Sequence, residues 1–120
     1  MKRTCINSPA FTRIYDQLVA ENKLSEQDFI EFEEALLTNP QMGIVIPGLD
    51  GLRKTRVKST TKGKRGGFRV DYIDFPDYEV LYYVVIYPKG EKDDLSPEEK
   101  KIVLKMVREI KKGVKNERNV

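Results

Sequence analysis

The chain has 120 residues, of which 39% are hydrophobic and 34% are charged, and its formal net charge is +3. One domain spanning residues 1–120 is the expectation for this length. With no histidine and a single cysteine, the chain lacks the residues for a Ser-His-Asp site, a Cys-His site, a zinc cluster or an intrachain disulfide. We therefore expect no metal and no cofactor. The longest apolar stretch is too short to span a membrane, and the first residues lack the apolar run of a secretory signal, which predicts a cytoplasmic protein.

Basic side chains are concentrated in the second half of the chain. Residues 1–50 contain 4 basic and 8 acidic side chains, whereas residues 51–120 contain 18 basic and 11 acidic ones. Eight basic residues and no acidic one occur between positions 53 and 69, namely Arg53, Lys54, Arg56, Lys58, Lys62, Lys64, Arg65 and Arg69. A solvated loop is one explanation of such a run. A cationic stretch of this density also attracts polyanions, and we predict that it binds phosphate groups.

Two helices are predicted in the first half of the chain. A capping serine followed by proline at Ser8-Pro9 begins the first helix, and Asn22 closes it. Ser25 caps the second helix, which runs to about Leu37. Apolar residues in both segments recur at helical spacing, which predicts a helical hairpin with one buried face. A short strand over Thr4–Asn7 is predicted to add an edge to a sheet.

Three strands and a last helix are predicted in the second half. Beyond turn signals at Pro47-Gly48 and Asp50-Gly51, the apolar spacing changes from that of a helix to that of a strand. The predicted strands are Leu52–Lys58, Phe68–Tyr72 and Tyr78–Tyr87, and their short connections favour an antiparallel meander. Ser96-Pro97 begins the last helix, whose predicted buried residues are Ile102, Val103, Met106, Val107 and Ile110. The fold class is therefore α+β, with the helical hairpin and the C-terminal helix packed on a small twisted antiparallel sheet.

The first of these strands has a cationic face. Alternation along the strand places three cations on one side, Lys54, Arg56 and Lys58. Like charges on one face repel, and a fold tolerates them when an anion offsets them. Arg69, one strand later, is predicted to point to the same face with an exposed side chain. Further predicted RNA contacts are Lys62, Lys64 and Arg65 in the glycine-rich connection, and Tyr87, Lys89 and Lys92 at and beyond the end of the third strand.

Tyrosine side chains offer two interpretations. Tyr72, Tyr82, Tyr83 and Tyr87 are available to stack on unpaired RNA bases, but a tyrosine in a strand is also a common core residue with a polar tip. The core interpretation is favoured for Tyr82 and Tyr83. Tyr87, at the strand end beside the lysines, is predicted to contact RNA.

Several segments, taken in order, resemble RelE/HigB-type toxins of type II toxin–antitoxin systems, which belong to the RelE/ParE superfamily. The segments are Pro47-Gly48-Leu49-Asp50-Gly51-Leu52-Arg53-Lys54, Arg56-Val57-Lys58, Gly63-Lys64-Arg65-Gly66-Gly67-Phe68-Arg69-Val70, and the stretch from Ile86 to Ser96. Together they cover most of the chain, roughly residues 10–112. Their order and spacing carry the resemblance, since no single motif is highly specific.

This resemblance implies a RelE-like, microbial-RNase-like fold and ribosome-dependent cleavage of mRNA. In the family, the ribose 2′-hydroxyl is the nucleophile, and the products are a 2′,3′-cyclic phosphate and a 5′-hydroxyl. The resemblance also implies a cognate antitoxin, often with a helix-turn-helix DNA-binding domain. The basic positions of the family correspond in this chain to Lys54, Arg56, Lys58, Arg69, Lys89 and Lys92.

Within that scheme we predict Arg69 to be the main phosphate stabiliser and Arg56 its partner. Lys54 and Lys58 hold the substrate in place or, crowded by other cations, accept a proton. Some family members have a tyrosine in the last helix near the scissile phosphate. The last helix of this chain has none, so that role is vacant or is filled by Tyr87.

Three alternatives stay open at this point. One is a ParE-like toxin that inhibits gyrase without cutting RNA, although that group largely lacks the basic set. Another is a nucleic-acid-binding module without catalysis. For Arg69 alone, the alternative to a phosphate contact is a structural ion pair with Asp71 or Asp74.

Overall fold

This computed structural model of the protein contains three α-helices and five strands within the residues that it describes, namely 2–59, 67–88 and 94–118, without the side chain of Arg118. In chain order the elements are β1 (Thr4–Asn7), α1 (Pro9–Ala20), α2 (Glu26–Thr38), β2 (Ile44–Val45), β3 (Arg53–Val57), β4 (Phe68–Phe75), a 3-10 turn (Pro76–Tyr78), β5 (Val80–Pro88) and α3 (Pro97–Arg118). The strands form a five-stranded mixed sheet in the order β1-β5-β4-β3-β2.

The α+β class, the helical hairpin, the last helix and the three-stranded meander are confirmed, but the purely antiparallel sheet is wrong. β1 lies at an edge, as predicted, yet it pairs with β5 in parallel, with Thr4 opposite Val80. Strands that pair in parallel need a long crossover, and here two helices and three strands intervene, so no local pattern reveals the direction. β2 has 2 residues, too few for alternation to predict it.

Ser8 determines where α1 begins and ties it to the sheet. Its Oγ accepts a hydrogen bond from the backbone N–H of Phe11 at 2.9 Å and donates one to the carbonyl of Val84 at 2.8 Å. The backbone N–H of Ser8 donates to the carbonyl of Tyr83 at 2.9 Å. Because Val84 and Tyr83 belong to β5, the cap of α1 also fixes the helix against that strand.

We expect the Ser8→Ala variant to lose about 1–2 kcal/mol of unfolding free energy, since a cap and a buried hydrogen bond disappear together. Ser25→Ala is the matched control, because Ser25 caps α2 through a bond from the N–H of Asp28 at 3.3 Å. Its expected loss is about 1 kcal/mol. Urea unfolding of both variants measures the difference, and equal losses would show that the Val84 bond adds nothing.

An aromatic cluster joins the helical hairpin to one face of the sheet. Phe29 of α2 lies with its ring centroid 5.0 Å from that of Tyr15 in α1 and 5.4 Å from that of Tyr83 in β5. Phe11 stacks on Tyr83 at 5.1 Å. The Tyr83 hydroxyl donates a hydrogen bond to Oε1 of Glu33 at 2.8 Å, so Glu33 is turned toward the sheet.

The opposite face of the sheet packs on α3. Val103 and Val107 are buried there against Leu52, Ile73 and Val84. The predicted buried face of α3 is wrong at one position, since Ile102 is 62% exposed. The buried stripe instead follows Val103, Val107 and, about two turns further, Val114. Lys54, Arg56 and Arg69 lie on this face as well.

Gly67 sets the entry of the chain into β4. Its φ of +70° lies in the left-handed region, and a Cβ at this position would collide with the backbone carbonyl of Val57. Only glycine relieves both constraints. The close approach lets β4 pair with β3 from its first residue, with Phe68 opposite Val57.

Candidate nucleic-acid interface

Three neighbouring strands bring basic, acidic and phenolic side chains to the sheet face shared with α3. Arg56 of β3 and Tyr87 of β5 both lie directly opposite Arg69 of β4. In the adjacent row on the same face, Lys54 lies opposite Asp71. Residues directly opposite in antiparallel strands point to the same side, which confirms the common face predicted for Lys54, Arg56 and Arg69. We call these five residues the sheet cluster.

Arg56 and Arg69 have the same charge and lie directly opposite each other on neighbouring strands. Like charges directly opposite on neighbouring strands are destabilising by roughly 0.2–1 kcal/mol. A phosphate held between them replaces repulsion with two attractive contacts, and guanidinium groups match the geometry of phosphate oxygens. The register therefore gives the sheet cluster the arrangement expected of a phosphodiester site.

Arg69 is half-buried, so the prediction of an exposed side chain is wrong. β4 lies between β3 and β5, and both neighbours flank the Arg69 side chain. Burial raises the pKa of Asp71 and of Tyr87, and the charge of Arg69 opposes that rise in both cases. The Arg69 guanidinium thus lies within electrostatic reach of both groups.

Of the two structural partners considered for Arg69, only Asp71 is near it. Asp74 is bound by Arg3, whose Nε donates to Oδ1 of Asp74 at 2.8 Å, and both side chains are 5% exposed. Nη2 of Arg3 also donates to Oδ2 of Asp74, at 3.3 Å. Because Arg3 precedes β1 and Asp74 belongs to β4, this buried pair connects the two segments. Asp74 therefore has a structural role away from the sheet cluster.

Asp71 is the residue of the cluster that sequence reasoning missed as a functional group. It is fully buried, and neither carboxylate oxygen accepts a hydrogen bond from any residue in the described ranges. Burial raises the pKa of Asp71 to about 7, although the charges of Arg69 and Lys54 pull in the other direction. One feature of the sequence indicates that this carboxyl is buried, namely an acidic residue at an inward-facing position of a central strand. The Asp71 carboxyl therefore changes between its neutral and ionised forms near neutral pH.

Lys54 has acidic neighbours and is not surrounded by cations alone. Its Nζ lies 3.0 Å from Oδ1 of Asp94, and Asp71 is its cross-strand neighbour. The hydrogen bond from Lys54, with help from the charges of Lys54 and Arg69, holds the pKa of Asp94 below its ordinary value. The argument for Lys54 as a proton acceptor therefore loses its basis, and Lys54 is better suited to holding an anion.

Tyr87 is the tyrosine of the sheet cluster. It is 8% exposed, and burial, together with the nearby Asp71 carboxylate, raises its pKa. The phenol is therefore protonated at neutral pH and can donate a hydrogen bond to a phosphate oxygen. The core interpretation is confirmed for Tyr83, which is 1% exposed, and Tyr82 is partly buried against the core. Tyr72 is 0% exposed, so it is not available for base stacking. The Tyr72 hydroxyl instead donates to the carbonyl of Pro40 at 2.6 Å.

Arg56 and Lys58 lie at the open side of the cluster. Both are exposed, and Lys58 follows the last residue of β3. They line a surface cleft of about 330 Å³ together with Asp28 and Glu31 of α2. These two cations therefore lie where β3 borders α2. Arg56 both lines this cleft and lies opposite Arg69 in the sheet.

Five of the predicted RNA contacts lie outside the described residues, namely Lys62, Lys64, Arg65, Lys89 and Lys92. Within the ranges that the structure does describe, no group of three or more acidic, cysteine or histidine side chains is arranged to hold a metal ion. No helix in the same ranges is long and apolar enough to cross a membrane.

A search against models of known protein families finds no match to this chain.

Proposed function

We propose that this protein is a RelE/HigB-type toxin with a microbial-RNase-like fold, an endoribonuclease that cuts mRNA on the ribosome. The observation that carries the proposal is the row of Arg56, Arg69 and Tyr87 across three strands, with Lys54 beside it. The element order, with a helical pair before a meander and a helix after it, supports the same assignment. The order and spacing of the motifs that resemble the family support it as well.

The proposed reaction is transesterification at one phosphodiester of the mRNA. The ribose 2′-oxygen attacks phosphorus as the 2′-hydroxyl loses its proton, the bond from phosphorus to the 5′-oxygen breaks, and that oxygen gains a proton. The products are a 2′,3′-cyclic phosphate and a 5′-hydroxyl. Negative charge develops on the non-bridging oxygens, and Arg69 and Arg56, which lie opposite each other on neighbouring strands, stabilise it. Lys54 holds the adjacent phosphate, and the protonated Tyr87 phenol donates a hydrogen bond.

The proposed function implies where the protein acts and which molecules it binds. Translating ribosomes place the protein in the cytoplasm, with mRNA as the substrate. A toxin of this kind needs a cognate antitoxin, and we propose one with an acidic segment that covers the sheet cluster or α3, and with a helix-turn-helix DNA-binding domain. An acidic segment fits because the described cluster contains three cations and one buried carboxyl.

We expect the purified chain to cut mRNA when translating ribosomes are present and to leave free mRNA largely intact. The reason is that the ribosome holds the mRNA in the geometry that cleavage requires. The protein is dialysed against EDTA and then added to ribosomes in Mg²⁺ buffer containing phenanthroline, which binds transition metals and leaves the Mg²⁺ that ribosomes need. Cleavage should persist, and end mapping should give 2′,3′-cyclic phosphate and 5′-hydroxyl termini.

The alternatives make different predictions in the same experiment. A gyrase inhibitor leaves mRNA intact and blocks DNA supercoiling, which a parallel gyrase assay detects. A binding module without catalysis retains mRNA in a gel shift but generates no new ends. Loss of cleavage after metal removal, with restoration by an added transition metal, would overturn the metal-independent mechanism.

A further inference from the structure

The buried carboxyl of Asp71 has no role in the reaction described above. Carboxylates inside proteins are almost always hydrogen-bonded, and an exception calls for an explanation. Asp71 is 0% exposed, and its two oxygens lack a donor among the described residues. It nevertheless lies opposite Lys54 and two residues from Arg69, the cations assigned to phosphate binding. A neutral carboxyl is tolerated in such a position far better than an ionised one.

Every element packed around Asp71 contributes a charged or titratable group. β3 contributes Lys54 and β4 contributes Arg69, both of which favour the ionised form. The segment before α3 contributes Asp94, which favours the neutral form. β5 contributes the phenol of Tyr87, beside which Glu99 of α3 also lies. The chain has no histidine, the side chain that most often titrates near neutral pH.

We propose that Asp71 is a positioning residue that couples binding of a single-stranded RNA phosphate to the uptake of one proton. The inference rests on the proposed function, since it concerns the same cations. When Asp71 is protonated, it no longer offsets the charges of Arg69 and Lys54, which attract the phosphate. When Asp71 is ionised, its carboxylate competes with the phosphate for those two cations. A bound phosphate in turn disfavours the carboxylate, so RNA draws a proton from solvent onto Asp71, and by linkage each ligand strengthens binding of the other.

The coupling has a definite sign and size. Phosphate binding is tightest where Asp71 is already protonated and weakens as the pH rises through about 7, the pKa that burial gives this carboxyl. If binding raises the proton affinity of Asp71 at least tenfold, RNA binding at pH 8 is roughly fivefold to tenfold weaker than at pH 6. The effect cannot exceed a factor of ten per pH unit, because one proton is involved.

The test uses a single-stranded 2′-deoxy oligonucleotide, which has the phosphates of RNA but lacks the nucleophile. Its dissociation constant is measured by fluorescence anisotropy from pH 5.5 to 8.5 at constant ionic strength. The wild type should weaken fivefold to tenfold between pH 6 and 8. Asp71→Asn, which mimics the protonated carboxyl, should bind with little pH dependence and at pH 8 should match the wild type at pH 6. Asp77→Asn, an exposed position in the 3-10 turn with the same charge change, should keep the wild-type slope.

A second measurement needs no variant. The carboxyl carbon of Asp71 is followed by NMR through a pH titration of the wild-type protein, without and with the oligonucleotide, and its pKa should rise on binding. A flat wild-type binding profile, a slope retained in Asp71→Asn, or an Asp71 titration that the oligonucleotide leaves unchanged would overturn the coupling. Those results leave the proposed function standing. Failure of every variant to bind at any pH would instead contradict the phosphate site itself, and the proposed function with it.

Discussion

Replacing Arg69 with alanine is expected to slow ribosome-dependent mRNA cleavage by on the order of 100-fold to 1,000-fold, the usual cost of removing one donor that stabilises transition-state charge. Arg69 occupies the central strand of the row and lies between Arg56 and Tyr87. Single-turnover cleavage on stalled ribosomes measures the loss directly, because it separates the chemical step from binding and release.

Because Arg69 is partly buried, replacing it can lower stability as well as activity, and a second variant is needed to separate the two effects. Alanine also removes a cation that favours the ionised form of Asp71, so some loss of stability is expected at neutral and higher pH. Arg69→Lys keeps that cation but not the planar fork. We expect its melting temperature to stay within about 3 °C of the wild type, with cleavage at least about tenfold slower. Arg13→Ala, on the exposed side of α1, is the control for loss of charge. Wild-type cleavage by either Arg69 variant would remove this residue from the site.

Features set by local chemistry were predictable from the sequence. Ser8 and Ser25 have the capping geometry that their residue types favour, with a side-chain oxygen accepting a backbone N–H at the start of each helix. Asp50 and Gly51 adopt positive φ in the predicted turn. Alternation alone placed Lys54 and Arg56 on one face of β3, since a period of two is a property of the strand itself.

Features set by distant neighbours were not predictable in the same way. The exposure of Arg69 depends on what flanks β4, and its flanking strands come from two other segments. The ion pair of Lys54 with Asp94 joins residues 40 positions apart, and the direction of β1 depends on β5. Asp71 illustrates the limit most clearly. Its residue type suggests a solvated anion or an ion-pair partner, and only the assembled sheet shows a carboxyl enclosed without a donor from the part of the chain that the structure describes.

Asp71 should therefore make the stability of the protein depend on pH in an unusual direction. Burial raises its pKa from 3.8 to about 7 in the folded protein. A carboxyl with a raised pKa in the folded state contributes fully to stability below its unfolded pKa, near pH 4. That contribution is lost as the pH rises through about 7. A difference of about three pH units between folded and unfolded proton affinity corresponds to roughly 4 kcal/mol. Most acidic residues in ion pairs behave oppositely, since their contribution is lost toward low pH.

We expect Asp71→Asn to be progressively more stable than the wild type between pH 4 and 7, by up to roughly 4 kcal/mol, with a plateau at higher pH. Asparagine keeps the size of the side chain and cannot ionise, so it avoids the cost of a buried charge. Urea unfolding of both proteins at several pH values gives the difference, in which contributions from other titrating groups cancel. Asp77→Asn should show a difference that is constant with pH, because Asp77 is exposed. A constant difference for Asp71→Asn as well would mean that donors reach its carboxylate in solution and that it stays ionised across this range.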